Sequence, residues 1–174
     1  MVTVSPSPSR SFTTECEADP ALAYTLHLSH DPRGARIARV TLRAVLAGHD
    51  MSQLIDPAEL LASELVTNAY RHSAGPAALR LRGLGGGRLR MSVWDANPHI
   101  PPPFDKRSGP LRPASVPVRA DGGRGLFLVC HYADAWGGYP LGDDLFGVNG
   151  KLLWCELGAA SAADRAGEPP RERR

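Results

Sequence analysis

The chain has 174 residues, of which 43% are hydrophobic and 22% are charged, and its formal net charge is +2. These values predict one soluble globular domain with a sizeable core, and they give no reason to expect a nucleic-acid partner. No apolar run approaches the roughly 20 residues of a membrane-spanning helix, and the first residues do not resemble a signal peptide. No membrane association is expected, and the expected location is the cytoplasm.

The three cysteines, Cys16, Cys130 and Cys155, are far apart in the sequence and form no C-x-x-C pair. Neither a zinc site nor a disulfide framework is therefore predicted. The thiols are expected to be small core or surface groups in a reducing compartment.

Residues 1–18 and 159–174 have the composition of disordered tails, and residues 19–158 are predicted to form one domain. Its first elements are a strand at 22–28 and a helix at about 32–48. The residues expected to face inward on this helix are Ile37, Val40, Thr41, Ala44 and Val45. The residues expected to face outward are Arg33, Arg36, Arg39 and Arg43. This arginine stripe is interpreted as a solvated face, with a docking surface for an acidic partner as the alternative.

A second helix is predicted at about 57–72, with Asp56 as its N-cap and Pro57 at its first position. Its apolar face is expected to contain Leu60, Leu61, Leu65 and Ala69. Glu64, Asn68 and His72 follow one another at intervals of four, so they stack on one stripe beside that face. Burying such groups without partners costs several kcal/mol, and a metal–phosphate ligand would supply partners. A solvated polar face is the alternative unless later segments build a nucleotide pocket.

Two strands are predicted next, at 78–84 and 89–95, and the three glycines at 85–87 are expected to join them as a hairpin. Residues 96–121 contain many prolines and no periodic pattern, and a stretch of this length is usually functional or disordered. Gly122-Gly123-Arg124-Gly125 then leads into an apolar helix. The free N–H groups of such a helix N-terminus favour an anion. Two closing strands are predicted at 135–139 and 150–157.

Three of these segments occur in a recognisable order: Glu64-Leu65-Val66-Thr67-Asn68-Ala69-x-x-His72, then Val93-Trp94-Asp95, then Gly122-Gly123-Arg124-Gly125-Leu126. Together with the last strand, they resemble the GHKL (Bergerat-fold) ATP-binding domain. The resemblance covers residues 20–158 and is greatest to the stand-alone branch related to anti-sigma factor serine kinases of actinomycetes. It implies an α/β (α+β) two-layer sandwich. Helices would cover one face of a mixed, mostly antiparallel sheet, and residues 96–121 would form an ATP lid.

The same resemblance implies roles for individual residues. Glu64 would be the general base, and Asn68 would hold Mg²⁺ at the ATP phosphates. Asp95 would accept a hydrogen bond from the adenine amino group, and His72 would support the site structurally. The implied ATP-binding set is Asn68, Asp95, Asn97, Gly123, Arg124, Gly125 and Leu126.

One segment departs from the family pattern. The family usually has Asp-x-Gly-x-Gly after the adenine-binding strand, whereas this chain has Asp95-Ala96-Asn97-Pro98-His99. Asn97 takes the first glycine position, where asparagine tolerates left-handed backbone better than most residues. His99 takes the second. This departure is expected to alter the packing of the loop against adenine and to lower the affinity for ATP.

The implied function is that of an ATP-dependent protein serine/threonine kinase with ATP and Mg²⁺ as cofactors. Its substrate would be a serine of an anti-sigma antagonist, and it would also be able to sequester a sigma factor. The resemblance allows a homodimer and implies no direct contact with nucleic acid. One alternative is a non-catalytic binding module that grips its partner through the arginine stripe. An ATPase, such as a chaperone or topoisomerase fragment, is a third reading and is less favoured because no transducer or dimerisation domain is recognised.

Overall fold

The computed structural model describes residues 18–105, 124–142 and 149–158, except for the side chains of residues 18–21 and 124. The predictions of terminal disorder concern residues that lie almost wholly outside this part. The described elements, in chain order, are β1 (Ala18–Leu28), α1 (Gly34–Gly48), a short 3₁₀ turn (Ser52–Leu54), α2 (Ile55–His72), β2 (Ala77–Leu84), β3 (Arg88–Asp95), α3 (Arg124–Tyr132), β4 (Ala135–Leu141) and β5 (Gly150–Leu157).

The described strands form one sheet in the order β1-β2-β3-β5-β4, and every neighbouring pair is antiparallel. Alternate residues of the central strands point to the helices, because side chains alternate between the two faces of a strand. The fully buried members of this layer include Leu79, Leu89, Met91, Val93, Leu153 and Cys155. The predicted α/β two-layer fold is confirmed, and the described part shows antiparallel pairing throughout.

The glycine-rich segment between β2 and β3 forms the predicted hairpin. Gly86 and Gly87 have φ angles of 73° and 71°, which L side chains rarely adopt. Leu84 then pairs with Arg88 across the turn, and the register continues to Ala77 opposite Asp95. The hairpin therefore places Asp95 at the end of β3, beside the C-terminal end of α2.

The predicted inward face of α1 is wrong for Ile37, Val40 and Ala44, which are exposed, whereas Val45 packs against the core and Thr41 is partly buried. The helix buries Gly34, Ala38, Leu42 and Leu46, a stripe with a spacing of four. Ile37 and Val40 are 48% and 64% exposed. The observed stripe combines two leucines with the small residues Gly34 and Ala38, which allow the helix to pack closely against its neighbours.

The arginine stripe of α1 is largely used inside the molecule. Arg33 pairs with Asp31, and the Arg43 Nε donates to Glu59 Oε1 on α2 at 2.7 Å. Arg39 Nη1 donates to Ser63 Oγ on the same helix at 3.1 Å. Arg39 and Arg43 therefore join α1 to α2, whereas the Arg33 pair is local to the turn before α1. Among the described residues only Arg36 has no such partner.

The Asp31–Arg33 pair gives a prediction on pH. Hydrogen bonds from the Arg33 side chain and from its backbone N–H hold the pKa of Asp31 at about 2, well below its usual range. Because the folded-state pKa is depressed, the stabilisation is present above the unfolded pKa and is lost as pH falls towards 2. We expect Arg33→Gln to raise the pKa of Asp31 towards its ordinary value in an NMR titration. Arg36→Gln is the control, and a similar rise in that variant would contradict the assignment.

Helix α2 begins at Ile55, two residues before the predicted start. Its N-cap is Leu54, which makes no side-chain capping hydrogen bond, so the prediction of Asp56 as N-cap is wrong. Asp56 instead lies in the first turn, where its charge interacts favourably with the helix dipole. Leu60 is 38% exposed and does not belong to the apolar face, whereas Leu61, Leu65 and Ala69 are buried as expected. No helix in the described ranges is long and apolar enough to cross a membrane.

Candidate functional site

A cavity of about 210 Å³ opens between the C-terminal half of α2, the loop after β3 and the start of β5. Most of the residues that line it have polar or charged side chains, which is unusual beside a hydrophobic core. The residues that line it are Asn68, His72, Asn97, His99, Pro101 and Lys151. Three of the predicted site residues, Asn68, Asn97 and His72, therefore meet at one cavity.

Helix α2 presents the predicted polar stripe to this region. Glu64 is half-buried, Asn68 is 8% exposed, and His72 is exposed at the end of the helix. The Asn68 Nδ2 atom is buried and has no hydrogen-bond partner among the described residues. A buried amide without a partner costs about 1–3 kcal/mol. A ligand in the cavity would remove this cost.

Glu64 packs against the N-terminus of α3. A Cβ atom added to Gly125 would lie 1.8 Å from Glu64 Oε2 and 2.8 Å from Glu64 Cδ. Only glycine leaves room for the carboxylate here. The contact therefore brings a carboxylate next to the free N–H groups at the start of a helix, where anions are stabilised.

Asp95 does not stand alone at the end of β3. Lys151 lies directly opposite it on β5, and Lys151 Nζ donates to Asp95 Oδ1 at 2.8 Å. Both side chains are 1% exposed. Such a buried ion pair carries a large desolvation cost, which its attraction repays only with good geometry and further hydrogen bonds. Lys151 was not among the predicted site residues.

A signal for Lys151 does exist in the sequence. On β5 it shares the alternation of Leu153, Cys155 and Leu157, all of which are buried. A lysine on the buried phase of a strand needs a buried acceptor. The partner could not be named, because that requires knowing that β5 lies beside β3.

Gly150 sets the position of this pair. Its φ angle is 149°, and a Cβ atom there would lie 2.1 Å from the backbone oxygen of Asp95. The close approach of the two backbones is therefore possible only with glycine. It fixes the start of β5 against the end of β3, and so places Lys151 at the cavity wall.

Asn97 connects three parts of the site. Its backbone N–H donates to Asp95 Oδ1 at 2.9 Å, and its carbonyl oxygen accepts from Lys151 Nζ at 3.1 Å. Its side-chain Nδ2 donates to the backbone oxygen of His72 at 2.6 Å, and its Oδ1 accepts from the His99 N–H at 3.0 Å. The expected left-handed backbone is not found at Asn97, since Asp50 is the only described non-glycine residue with positive φ. Asparagine is suited to this position because its side chain makes hydrogen bonds, and not because it tolerates left-handed backbone.

The first part of the predicted lid packs onto the sheet. Phe104 is 2% exposed, and its ring lies 5.2 Å from that of Trp136 on β4. Gly138 leaves space for Phe104 and Ile100, because a Cβ atom there would meet both. Residues 96–105 are therefore anchored over β4, and residues 106–121 of the predicted lid lie outside the described part.

The remaining predicted residues differ in what can be said of them. Leu126 is 7% exposed and belongs to the core. Gly123 lies outside the described residues. Arg124 begins α3, but its side chain lies outside the described part. A contact between these residues and ATP stays a prediction.

The described residues fit a magnesium–nucleotide ligand at their phosphate end. The buried Asn68 Nδ2 has no partner among the described residues and is a donor suited to a phosphate oxygen. The oxygen of the same amide is of the type that ligates Mg²⁺. Gly125 and the start of α3 offer backbone N–H groups beside it. At the end where adenine is expected, Asp95 was predicted to accept a hydrogen bond from the base alone. In the structure one of its oxygens, Oδ1, already accepts from Lys151 Nζ.

Comparison with known proteins agrees with this geometry. The family model described as a histidine kinase-like ATPase domain matches residues 28–139, more than half of the chain. The chain is also 32% identical over 110 residues to an uncharacterized protein of Streptomyces coelicolor. That alignment covers 62% of this chain and 84% of the other protein. The range that the family model matches includes α2, β3, α3 and the loop that contains Asn97.

Proposed function

The chain belongs to the histidine kinase-like ATPase family, and from this premise we propose that it is an ATP-dependent protein serine/threonine kinase of the anti-sigma factor type. Its substrate is a serine of an anti-sigma antagonist. We also propose that the protein binds and sequesters a sigma factor. Family membership supports the binding of ATP. The proposal of an anti-sigma antagonist as the protein substrate rests on the resemblance of the motifs to stand-alone anti-sigma kinases.

One observation supports the proposal above the others. The Glu64 carboxylate contacts Gly125 at the start of α3, and Asn68 lies one helical turn further along α2 with an unpartnered amide. A possible base, a possible metal ligand and a helix N-terminus thus lie together at one site. Phosphoryl transfer needs positioning and charge neutralisation more than covalent chemistry by the protein.

The proposed reaction uses these groups in a simple way. The serine hydroxyl oxygen forms a bond to the γ-phosphorus while the bond between that phosphorus and the β–γ bridging oxygen breaks, releasing ADP. Glu64 takes the hydroxyl proton as this happens. The N–H groups at the start of α3 stabilise negative charge on the phosphates. Mg²⁺ held by Asn68 would supply further charge neutralisation.

The direct test is phosphate transfer. Purified protein is incubated with Mg²⁺ and γ-labelled ATP together with a panel of anti-sigma antagonist domains, and phosphoserine is mapped by mass spectrometry. Labelling of one serine in one panel member is expected. If ATP binds but no protein of the panel is labelled, the kinase assignment is overturned for that substrate class.

A second candidate function is a non-catalytic regulatory module. It is favoured by the Asp95–Lys151 ion pair and by Asn97 and His99 at the two glycine positions, because all of these alter the base pocket. The arginine stripe supports it less, since most of its members are paired within the chain. Partner binding that is independent of ATP, without phosphate transfer, would identify this function.

Gly125→Ala provides a test of the Glu64 position. The added Cβ would collide with the end of a flexible side chain, so we expect the fold to remain and the carboxylate to move. A displacement of about 1 Å in a reacting group can cost about 10²-fold in rate. Phosphate transfer should fall by this order with an unchanged unfolding midpoint. Gly48→Ala is the control, because a Cβ there meets nothing within 4 Å. Equal transfer in both variants would contradict the assigned position of Glu64.

A further inference from the structure

Lys151 lines the cavity, and Asp95, its partner in the buried ion pair, lies next to it at the end where the family resemblance implies that adenine binds. Lysine is rare in this chain, which uses it at only Lys106 and Lys151. An ammonium group is a compact charge with three N–H donors, whereas a guanidinium is a wide planar fork. A lysine at this position therefore fits a narrow site that requires donors in several directions.

The hydrogen bonds leave one of the three donors unused. Lys151 Nζ donates to Asp95 Oδ1 at 2.8 Å and to the Asn97 carbonyl oxygen at 3.1 Å. Among the described residues no third acceptor is present, and Lys151 forms part of the cavity wall. The free donor is thus available to a ligand in the cavity.

The same contacts use only one oxygen of the carboxylate. Asp95 Oδ1 accepts from both Lys151 Nζ and the Asn97 N–H. Asp95 Oδ2 accepts no hydrogen bond from any residue in the described ranges. The pair therefore offers one acceptor and, next to it, one donor. A ligand that uses both must present a donor beside an acceptor on one edge.

We propose that Lys151 is a specificity-determining residue that donates a hydrogen bond to the N1 atom of adenine. This inference rests on the proposed function and on the pairing of the adenine amino group with Asp95 that the family resemblance implies. N1 lies beside that amino group on the six-membered ring. The ribose leaves from the five-membered ring, so the six-membered ring enters the deep end of the site, where Lys151 is 1% exposed.

This arrangement also rejects guanine. Guanine carries an oxygen in place of the amino group and an N1–H in place of the N1 acceptor. The oxygen would face the Asp95 carboxylate, and the N1–H would face the Lys151 ammonium. Both contacts would be lost, and buried polar groups without partners are costly. Lys151 therefore doubles the number of positions at which the base is read.

The test uses the ligand first, because removing Lys151 leaves Asp95 buried without its partner. Binding of ATP, 1-deaza-ATP and 7-deaza-ATP to the wild-type chain is measured by calorimetry with Mg²⁺. We expect 1-deaza-ATP, which has C–H in place of N1, to bind about 10- to 100-fold more weakly than ATP, the usual range for a hydrogen bond to a charged group. The control 7-deaza-ATP should bind like ATP.

Two variants then assign the effect to Lys151. In Lys151→Met, and in Asp95→Asn/Lys151→Met, which leaves no unpaired buried charge, ATP and 1-deaza-ATP should bind equally. The inference is overturned if the wild type does not distinguish the two ligands, or if the double variant still does. Absence of binding by ATP and both analogues is a different result, which refutes the nucleotide-binding function itself.

Discussion

Glu64→Gln is expected to lower phosphate transfer by about 10²- to 10⁴-fold, the usual contribution of a positioned general base. The substitution keeps the size of the side chain and its contact with Gly125, but it removes the group that accepts the proton. ATP affinity should stay within a few-fold of the wild-type value, because the base acts on the hydroxyl and not on the nucleotide. Single-turnover transfer and equilibrium ATP binding measure the two effects separately.

The matched control is Glu59→Gln on the same helix. Glu59 forms a salt bridge with Arg43 on α1 and does not line the cavity. This variant should transfer phosphate at the wild-type rate and lose no more than about 1 kcal/mol of stability, as is usual for such pairs. Wild-type transfer in Glu64→Gln would show that Glu64 is not the base.

Lys151→Met is expected to destabilise the fold by about 3–5 kcal/mol, the usual cost of removing one partner from a buried ion pair. The Asp95 carboxylate, which is 1% exposed, would then keep its charge without the ammonium or would have to take up a proton. Either outcome reduces the free energy of unfolding. Urea denaturation at pH 7 measures it as a shift in midpoint at constant slope.

Two further variants separate this effect from simple loss of a long side chain. Asp95→Asn/Lys151→Met should recover most of the lost stability, because no buried charge remains in the pair. Arg36→Met changes an exposed cation and should stay within about 0.5 kcal/mol of wild type. If the double variant is as unstable as Lys151→Met, the ion pair is not the cause.

Local patterns were sufficient to predict most elements and the polar stripe of α2, two members of which line the cavity. The spacing of Glu64, Asn68 and His72 is a property of one helix, so their common stripe follows from helical geometry alone. The hairpin between β2 and β3 is likewise local, because its glycines fix the turn and the turn fixes the register. The predicted starts of α1 and α2 each differ from the observed starts by two residues. Helix boundaries are less well determined by local sequence than helix interiors.

The rest of the site depends on contacts between distant segments. Asp95 and Lys151 are 56 positions apart in sequence and meet only because β5 lies between β3 and β4. No local pattern gives that strand order. Helix α1 shows a related limit, because two stripes on it are apolar enough to be the core. Packing against α2 and the sheet selects Leu42 and Leu46 over Ile37 and Val40.

The residue at the first position where the loop after β3 departs from the family pattern has a structural role in this chain. Asn97 ties β3, α2 and Lys151 together through its backbone and its side chain. A glycine could make the backbone contacts but not the bond to His72. Asn97 and Lys151 thus belong to one hydrogen-bond network, and the two residues are best studied together.

The proposed function requires that the cavity bind magnesium-ATP through Asn68. The most direct measurement is calorimetric titration of the wild-type chain with ATP, with and without Mg²⁺, beside Asn68→Ala and the exposed control Gln53→Ala. We expect magnesium-dependent binding in the wild type and in the control, and its loss in Asn68→Ala. This variant should itself remain folded, because the replaced Nδ2 group has no hydrogen-bond partner among the described residues. Absence of ATP binding in the wild type would contradict the proposed function. Binding that Asn68→Ala leaves unchanged would contradict the assigned role of Asn68.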